Sequence, residues 1–517
     1  VPIPPSCRVL MHETDKGNLW IGGLQNKIYK LDYSYNNWLT YNNLNYQCES
    51  PGNKQWFIEA KGRIVVNNGN EWKSYGLEDG LMDTPVRLIC SRAGQIWAAG
   101  SHEGIAATAF FENNEWTFQK HPHLSWGIDY RSVFESKDGS LWFGAAVDYQ
   151  EEKGHKAGLL RLSNPLDKDK QWVHYQTPEH GSMSMNTYGI AQSSDGRIWK
   201  GGLGLSFFSG ERWFQIESPQ ELTDYVNLVH SRPGIKLYAG SRYYGLFVFD
   251  GDTWHVFNSN SGLTSNTVIS IYAESDNSIW LATDNDISYF DGNQWFANLF
   301  PSEMTMKMEG GSLYKDSSDQ LWINKSPREW KRRALEYSQT PPEVYDKFKV
   351  YRYKPYQGAP ETFIKKYPKQ ITSSGQVTFF WEGKDYYKNT EDSRLKYSYR
   401  VNGGKWSEYT TETNKTFYNL NSGDYVFEVK AIDLDMNSDG TTAQAEFVVI
   451  PPIWKQGWFI LLLLGMTFVI VYFIVQIVKR DQKLVFANNE LNHANNILNE
   501  QKQEIVTQKE QLNLMLV

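Results

Sequence analysis

Residues 267–296 read Thr267-Val268-Ile269-Ser270-Ile271-Tyr272-Ala273, Glu274-Ser275-Asp276-Asn277-Ser278, Ile279-Trp280-Leu281-Ala282, Thr283-Asp284-Asn285-Asp286, Ile287-Ser288-Tyr289-Phe290, Asp291-Gly292-Asn293 and Gln294-Trp295-Phe296. The first group alternates as a half-buried strand does, and the polar group after it has turn composition. Two short apolar groups follow, with a second turn between them. Asp291-Gly292 between apolar runs is a strong hairpin signal, because its glycine tolerates the left-handed backbone that a tight turn needs. The stretch therefore predicts four short antiparallel strands, at 267–273, 279–282, 287–290 and 294–299.

The unit recurs. Its second strand returns as Gly-Asn-Leu-Trp-Ile-Gly at 17–22, Gly-Gln-Ile-Trp-Ala-Ala-Gly at 94–100, Gly-Ser-Leu-Trp-Phe-Gly at 139–144 and Gly-Arg-Ile-Trp-Lys-Gly at 196–201. Weaker copies centre on Trp56, Tyr238 and Trp322. The eight anchors (Trp20, Trp56, Trp97, Trp142, Trp199, Tyr238, Trp280 and Trp322) lie about 40 residues apart. Four strands per period of about 40 is the pattern of a β-propeller. Eight anchors favour eight blades, and seven remain open if an end repeat is incomplete. The 20 Trp residues of the chain then have a structural use, since an aromatic at a fixed place in every blade seals it against its neighbour. A ligand site should break such a repeat. The phrase at 262–292 resembles the two-component regulator propeller repeat, and the resemblance extends over residues 1–353. The pattern weakens at Trp56, Tyr238 and Trp322, where the flanking glycines or the Trp are missing.

Bulk properties narrow the function. The chain has 517 residues, room for two or three folded units. A net charge of −7 argues against a nucleic-acid partner, which needs a basic footprint. Three cysteines make no disulfide framework. Cys90, at the end of an apolar run, reads as a buried thiol, and a Cys7–Cys48 bridge is the pairing weighed. The first residue is Val and the last lie in a helical pattern, so the chain is expected to be processed or excised at its start and cut at its end.

After Pro355 the period changes. Strands are predicted at 370–381, 395–401, 416–420, 424–432 and 443–450, as in a small antiparallel sandwich. Leu-Lys-Tyr-Ser-Tyr-Arg-Val-Asn-Gly-Gly-Lys-Trp at 395–406, Gly-Asp-Tyr-Val-Phe-Glu-Val-Lys-Ala at 423–431 and Ile-Pro-Pro-Ile-Trp at 450–454 closely resemble the three-tyrosine (Y_Y_Y) domain. The resemblance implies an Ig-like β-sandwich between propeller and membrane, with Tyr397, Tyr399 and Tyr425 as the eponymous, structural residues. Asp435, Asn437, Asp439 and Glu446 match the spacing of an EF-hand calcium loop. Strand flanks make a plain polar turn the expected reading, so no metal and no cofactor are expected.

Residues 458–475 are apolar apart from Gly465, Thr467 and Tyr472, enough to span a bilayer. Lys479, Arg480 and Lys483 follow, against Lys455 alone on the other side, which places the C-terminal end in the cytoplasm. Leu484, Leu491, Leu498, Ile505 and Leu512 then repeat every seven residues, beside a weaker seam of Ala487, Ala494, Gln501 and Gln508. This heptad pattern predicts a parallel homodimeric coiled coil of modest stability.

The organisation expected is therefore mainly β: a propeller (1–355), a sandwich (356–452), a transmembrane helix (453–479) and a cytoplasmic coiled coil (480–517). Residues 1–452 would be periplasmic and the membrane the inner one. No P-loop, nucleophile elbow, zinc-protease or paired-cysteine motif is present, and His121-Pro-His123 has no third ligand nearby. The architecture resembles the sensor part of membrane-bound hybrid two-component histidine kinases, with an output domain beyond residue 517. The partners expected are a second copy, the bilayer and a small or oligomeric ligand, with carbohydrate the favoured class. The alternatives are a membrane-tethered propeller enzyme acting on polysaccharide, or an adhesion or scaffold module. Three places break the repeat on one face of the propeller: Trp126–Arg131, with Trp126, Tyr130 and Arg131; the insertion at 145–158; and Arg242, Tyr243 and Tyr244. Aromatic faces beside Arg donors suit a sugar, above all an acidic one.

Overall fold

The computed structural model describes residues 10–13, 18–22, 28–32, 38–146, 156–231, 236–275, 277–300, 304, 311–325, 348–356, 358–373, 375–386 and 390–515. Between Trp38 and Tyr353, seven four-stranded antiparallel sheets follow one another as blades. Their innermost strands are Leu44–Ser50, Thr84–Cys90, Gly127–Glu135, Gly189–Gln192, Val226–His230, Val268–Ala273 and Ser312–Lys315. Blade 7 takes its outermost strand from the start of the ring, with Trp38–Asn42 pairing antiparallel with Lys349–Tyr353. The seam is clamped by Asn324, which accepts a hydrogen bond from Tyr46 N at 2.8 Å and donates one to Tyr46 O at 2.7 Å. The eighth anchor, Trp20, lies in a separate three-stranded sheet, Leu10–Glu13, Asn18–Gly22 and Ile28–Asp32. Among the described residues the ring thus has seven blades. The clasp takes the fourth strand of the first repeat and leaves the other three as the separate sheet, which sequence spacing does not show.

The anchors are core residues, each between 0 and 5% exposed in the ring. Their indole N–H groups are satisfied by a repeated device. Trp56, Trp142 and Trp199 donate to the hydroxyls of Ser50, Ser136 and Ser193, six residues earlier, while Trp280 and Trp322 donate to Glu274 and Asp316 at the same offset. The acceptor sits where the innermost strand turns into the second, so the bond ties turn to blade. Anchors also meet the outer-strand Trp of the next blade edge-to-face: Trp56 with Trp116, Trp97 with Trp172, Trp142 with Trp213 and Trp199 with Trp254, at 6.2–6.4 Å. Such contacts make each blade interface a packed aromatic layer. The predicted turn at Asp291 is present. Gly292 adopts φ +94°, and Asp291 accepts from the N–H groups of Asn293 and Gln294.

The cysteine reading is corrected. Cys48 and Cys90 form a disulfide between the innermost strands of blades 1 and 2. These strands neighbour each other only once blade 2 packs on blade 1, so 42 residues of separation hid the pair. Cys90 is no free thiol, and Cys7 lies outside the described residues.

The second unit is a sandwich of two sheets. One orders Glu361–Ile364, Gln376–Lys384 and Asn414–Tyr418; the other orders Gln370–Thr372, Ala443–Ile450, Gly423–Ile432 and Lys396–Val401. The predicted strand at 370–381 is two strands, one in each sheet, and Glu361–Ile364 had not been anticipated. The tyrosines are structural. Buried Tyr397 accepts a hydrogen bond from Gly383 N, Tyr399 packs on Trp381 and Phe427, and Tyr425 stacks on Phe447 while donating to Asn421 O. A single helix, Gly457–Leu514, leaves the sandwich after Pro451-Pro452. An 18-residue window in it has a mean hydropathy of 2.7, long and apolar enough to cross a membrane. Leu484, Leu491, Leu498, Ile505 and Leu512 lie along it, 57–63% exposed.

Candidate functional site

In blade 3 the entry to the innermost strand departs from its siblings. Ile128 pairs with Ala145 and Val133 with Phe143, so four residues, Asp129–Ser132, oppose the single residue Gly144. The other bulged blades carry one extra residue, as at Gln47 or Asn227. A large bulge re-aims side chains, and here it holds Arg131 in a fork. Its Nε and Nη2 donate to the two oxygens of Asp129, both at 2.9 Å, and Nη1 reaches Asn227 O of blade 5 at 3.3 Å. Burial opposes the charge on Arg131, but Asp129 and the rings of Tyr130 and Tyr188 outweigh it and raise its pKa.

The predicted residues join through two tyrosines not singled out in the sequence. The Arg131 guanidinium lies 5.0 Å from the Tyr130 ring and 4.3 Å from that of Tyr188. Tyr188 stacks on Tyr225 at 6.3 Å and 6°, Tyr225 meets Tyr243 edge-on, and Arg242 lies 5.6 and 5.7 Å from those two rings. Arg242 N also donates to Tyr225 O, which joins the middle turn of blade 5 to its own entry loop. Tyr243 and Tyr244 are 49% and 39% exposed. A row of rings and guanidinium groups thus crosses blades 3, 4 and 5. The signal in the sequence was Asp129-Tyr130, Thr187-Tyr188 and Asp224-Tyr225, an aromatic at the same entry position in three successive repeats. Trp126 is half-buried, and its indole N–H is enclosed without a partner. The insertion at 145–158 falls largely outside the described residues.

Behind this row sits Lys200, which occupies the apolar place after the blade 4 anchor and is fully buried. Its ammonium donates to the carbonyls of Ser184 and Asn186 at 2.6 and 2.9 Å and to Thr187 Oγ1 at 3.3 Å. Burial lowers its pKa to about 7. It holds the loop whose Asn186 donates to the Tyr188 hydroxyl at 2.6 Å.

The other candidates have ordinary partners. His121 is buried, shares a hydrogen bond with Thr108 and is pushed down to about 4 by burial and by His174. Asp435 accepts from Tyr353 OH and Tyr356 N, Asn437 donates to Tyr356 O, and Asp439 accepts from Thr362 N and Thr441. Glu446 is exposed on its strand, opposite Val426. Among the described residues no three His, Cys, Asp or Glu side chains gather as metal ligands would. The Asp435–Asp439 turn instead seats the sandwich on the propeller, where Ile432 packs with Phe296, Phe300 and Tyr353 of blades 6 and 7. Tyr409 N donates to Gln294 at 2.6 Å in the same contact.

Family models identify a Y_Y_Y domain at residues 388–449 and a two component regulator propeller repeat at 262–285. Among solved structures, the fold is similar to one described as the extracellular domain of the hybrid two component system BT3049 from B. thetaiotaomicron. Identity is 16%, the TM-score is 0.50, and 86% of this chain and 62% of that one are covered. The corresponding domain of BT4673 from the same organism matches at 14% identity and a TM-score of 0.43, over 86% and 63%. Virginiamycin B lyase from Staphylococcus aureus matches at 13% and 0.43, over 61% and 98%. The chain spans under two thirds of the two-component domains it resembles. No curated protein matches it.

Proposed function

Because the chain carries two component regulator propeller repeats and a Y_Y_Y domain ahead of one apolar helix, we propose that it is the sensing and membrane-crossing part of a two-component-type receptor. One observation carries this reading. The helix Gly457–Leu514 runs without a break from the end of the sandwich through the apolar stretch and along the heptad leucines. An enzyme tether needs no such extension, whereas a receptor needs a rigid element that moves as one body across the bilayer. Residues 1–452 lie in the periplasm, and the basic residues Lys479, Arg480 and Lys483 hold the other end in the cytoplasm. Two copies pair in parallel through Leu484, Leu491, Leu498, Ile505 and Leu512. The output, most simply a histidine kinase, lies beyond residue 517.

The ligand surface is the row from Trp126 and Arg131 through Tyr188 and Tyr225 to Arg242, Tyr243 and Tyr244. Tyrosine faces with guanidinium edges suit a carbohydrate. Arg242 stands beside the exposed ring of Tyr243, where an acidic substituent of the sugar would meet it.

The test uses the full chain in membranes with Leu498→Cys as a crosslinking reporter. A cognate oligosaccharide should change the crosslinking yield, and Arg242→Ala with Tyr243→Ala should suppress the change. Turnover of the oligosaccharide by the protein, or crosslinking indifferent to every oligosaccharide that binds, would overturn the reading.

A further inference from the structure

Where blades 7, 1 and 2 meet at the hub, their innermost strands line an open-mouthed cavity of about 380 Å³. Its walls include Tyr46, Gln47, Arg87, Tyr314 and Lys315, with exposed Ser317 at the rim. Both sides are fixed. The Cys48–Cys90 disulfide pins blade 1 to blade 2, and the Asn324 clamp pins blade 7 to blade 1.

Arg87 is the unusual group. Its guanidinium lies 4.7 Å over the Tyr314 ring, and its enclosed Nη1 has no hydrogen-bond partner. The rest of the molecule shows how this fold settles a buried guanidinium, because Arg131 takes both oxygens of Asp129. Arg87 has no carboxylate among the described residues. The two at the cavity are committed elsewhere: Glu49 accepts from Ser317 N, and Asp316 accepts from Ser318 N, Gln320 N and the Trp322 indole. Lys315 is held between Glu274 and Asp319, and Gln47 Oε1 is taken by Leu88 N. Burial draws Arg87 down to about 10, which leaves it cationic at neutral pH. Arg87 is half-buried with its Nη1 enclosed; a partly desolvated cation without a counter-charge is costly, and a planar fork of donors on a cavity wall matches an oxyanion.

We propose that this hub cavity is an anion-binding site, in which a carboxylate, sulfate or phosphate group docks on Arg87 and supplies its counter-charge. The site is separate from the row across blades 3 to 5 and does not depend on the propeller being a sensor. An inorganic ion and an acid group on an organic molecule present the same oxygens, so the probes are sodium sulfate, sodium phosphate and sodium gluconate.

Binding to the full chain in detergent is measured by calorimetry and by the unfolding midpoint, at constant ionic strength. Saturable binding of one anion per chain is expected, with a midpoint that rises with anion concentration. Arg87→Met should lose this response while unfolding no earlier than the parent in the absence of anion, since a half-buried charge with no counter-charge has been removed. Arg87→Lys, which keeps the charge but loses the fork, should weaken binding at least tenfold. Arg212→Ala, at an exposed arginine outside both sites, should bind as the parent does. Preference for sulfate or phosphate marks a structural counter-ion, and preference for gluconate marks an organic ligand; both support the site. The proposal fails if the parent chain binds none of the three saturably. It also fails if Arg87→Met or Arg87→Lys binds as tightly as the parent.

Discussion

At the scale of single residues, this protein spends polar groups where most cores spend hydrocarbon. The indole-to-hydroxyl bond repeated across the blades is one case. Ser136→Ala should destabilise the propeller by about 1–3 kcal/mol, because it leaves the buried Trp142 N–H unsatisfied. Combined with Trp142→Phe, the two losses should fall short of additive, and a double-mutant cycle in denaturant reads the difference. Lys200 is the other case. Its pKa in the folded chain is lowered from 10.5 to about 7. Between those values the unfolded chain binds the extra proton, so stability should rise with pH from about 7 to about 10. The penalty is fully present below pH 7. Lys200→Met should flatten this slope, as read by unfolding midpoints across the pH range.

At the scale of elements, the disulfide and the helix carry the sharpest expectations. Cys48 and Cys90 close 42 residues, for which the chain-entropy estimate is about 4 kcal/mol at most. Reduction, or Cys48→Ser with Cys90→Ser, should therefore lower the propeller's unfolding midpoint and leave that of the sandwich unchanged. Differential scanning calorimetry with and without reductant separates the two. The heptad leucines are 57–63% exposed along one helix, and pairing would cover them. Leu491→Asp and Leu498→Asp should each abolish crosslinking of the C-terminal helices in membranes, and unchanged crosslinking would show that the heptads do not pair.

At the scale of the whole molecule, among the described residues the sandwich stands between the propeller and the apolar helix. Ile432, Tyr409 and the Asp435–Asp439 turn form that seat, against blades 6 and 7. Ile432→Asp places an unpaired carboxylate in this apolar contact, at a cost on the order of several kcal/mol. Oligosaccharide binding to the propeller should persist while the ligand-dependent change in Leu498→Cys crosslinking disappears. Loss of both would mean that the seat also shapes the ligand surface.

Local chemistry determined much of this protein on its own. The Gly-x-x-Trp phrase, the Asp-Gly turns and strand alternation specify each blade, because a four-stranded antiparallel sheet is made from neighbouring residues. The apolar stretch at 458–475 is legible for the same reason, as a helix long and apolar enough to cross a membrane. Trp126, Arg131 and Arg242 stood out as places where the repeat breaks. Packing of blade on blade and closure of the ring decided the rest. Seven blades rather than eight, the Cys48–Cys90 bridge, the clamp of Asn324 on Tyr46 and the joining of Arg131 to Arg242 through Tyr188 and Tyr225 all unite residues from different repeats. So does the cavity beside Arg87. Repeat periodicity carries no information about which side chains from different blades meet at the hub. Only the packing of blade on blade sets those distances, and with them that the Arg87 guanidinium of blade 2 meets the face of Tyr314 from blade 7.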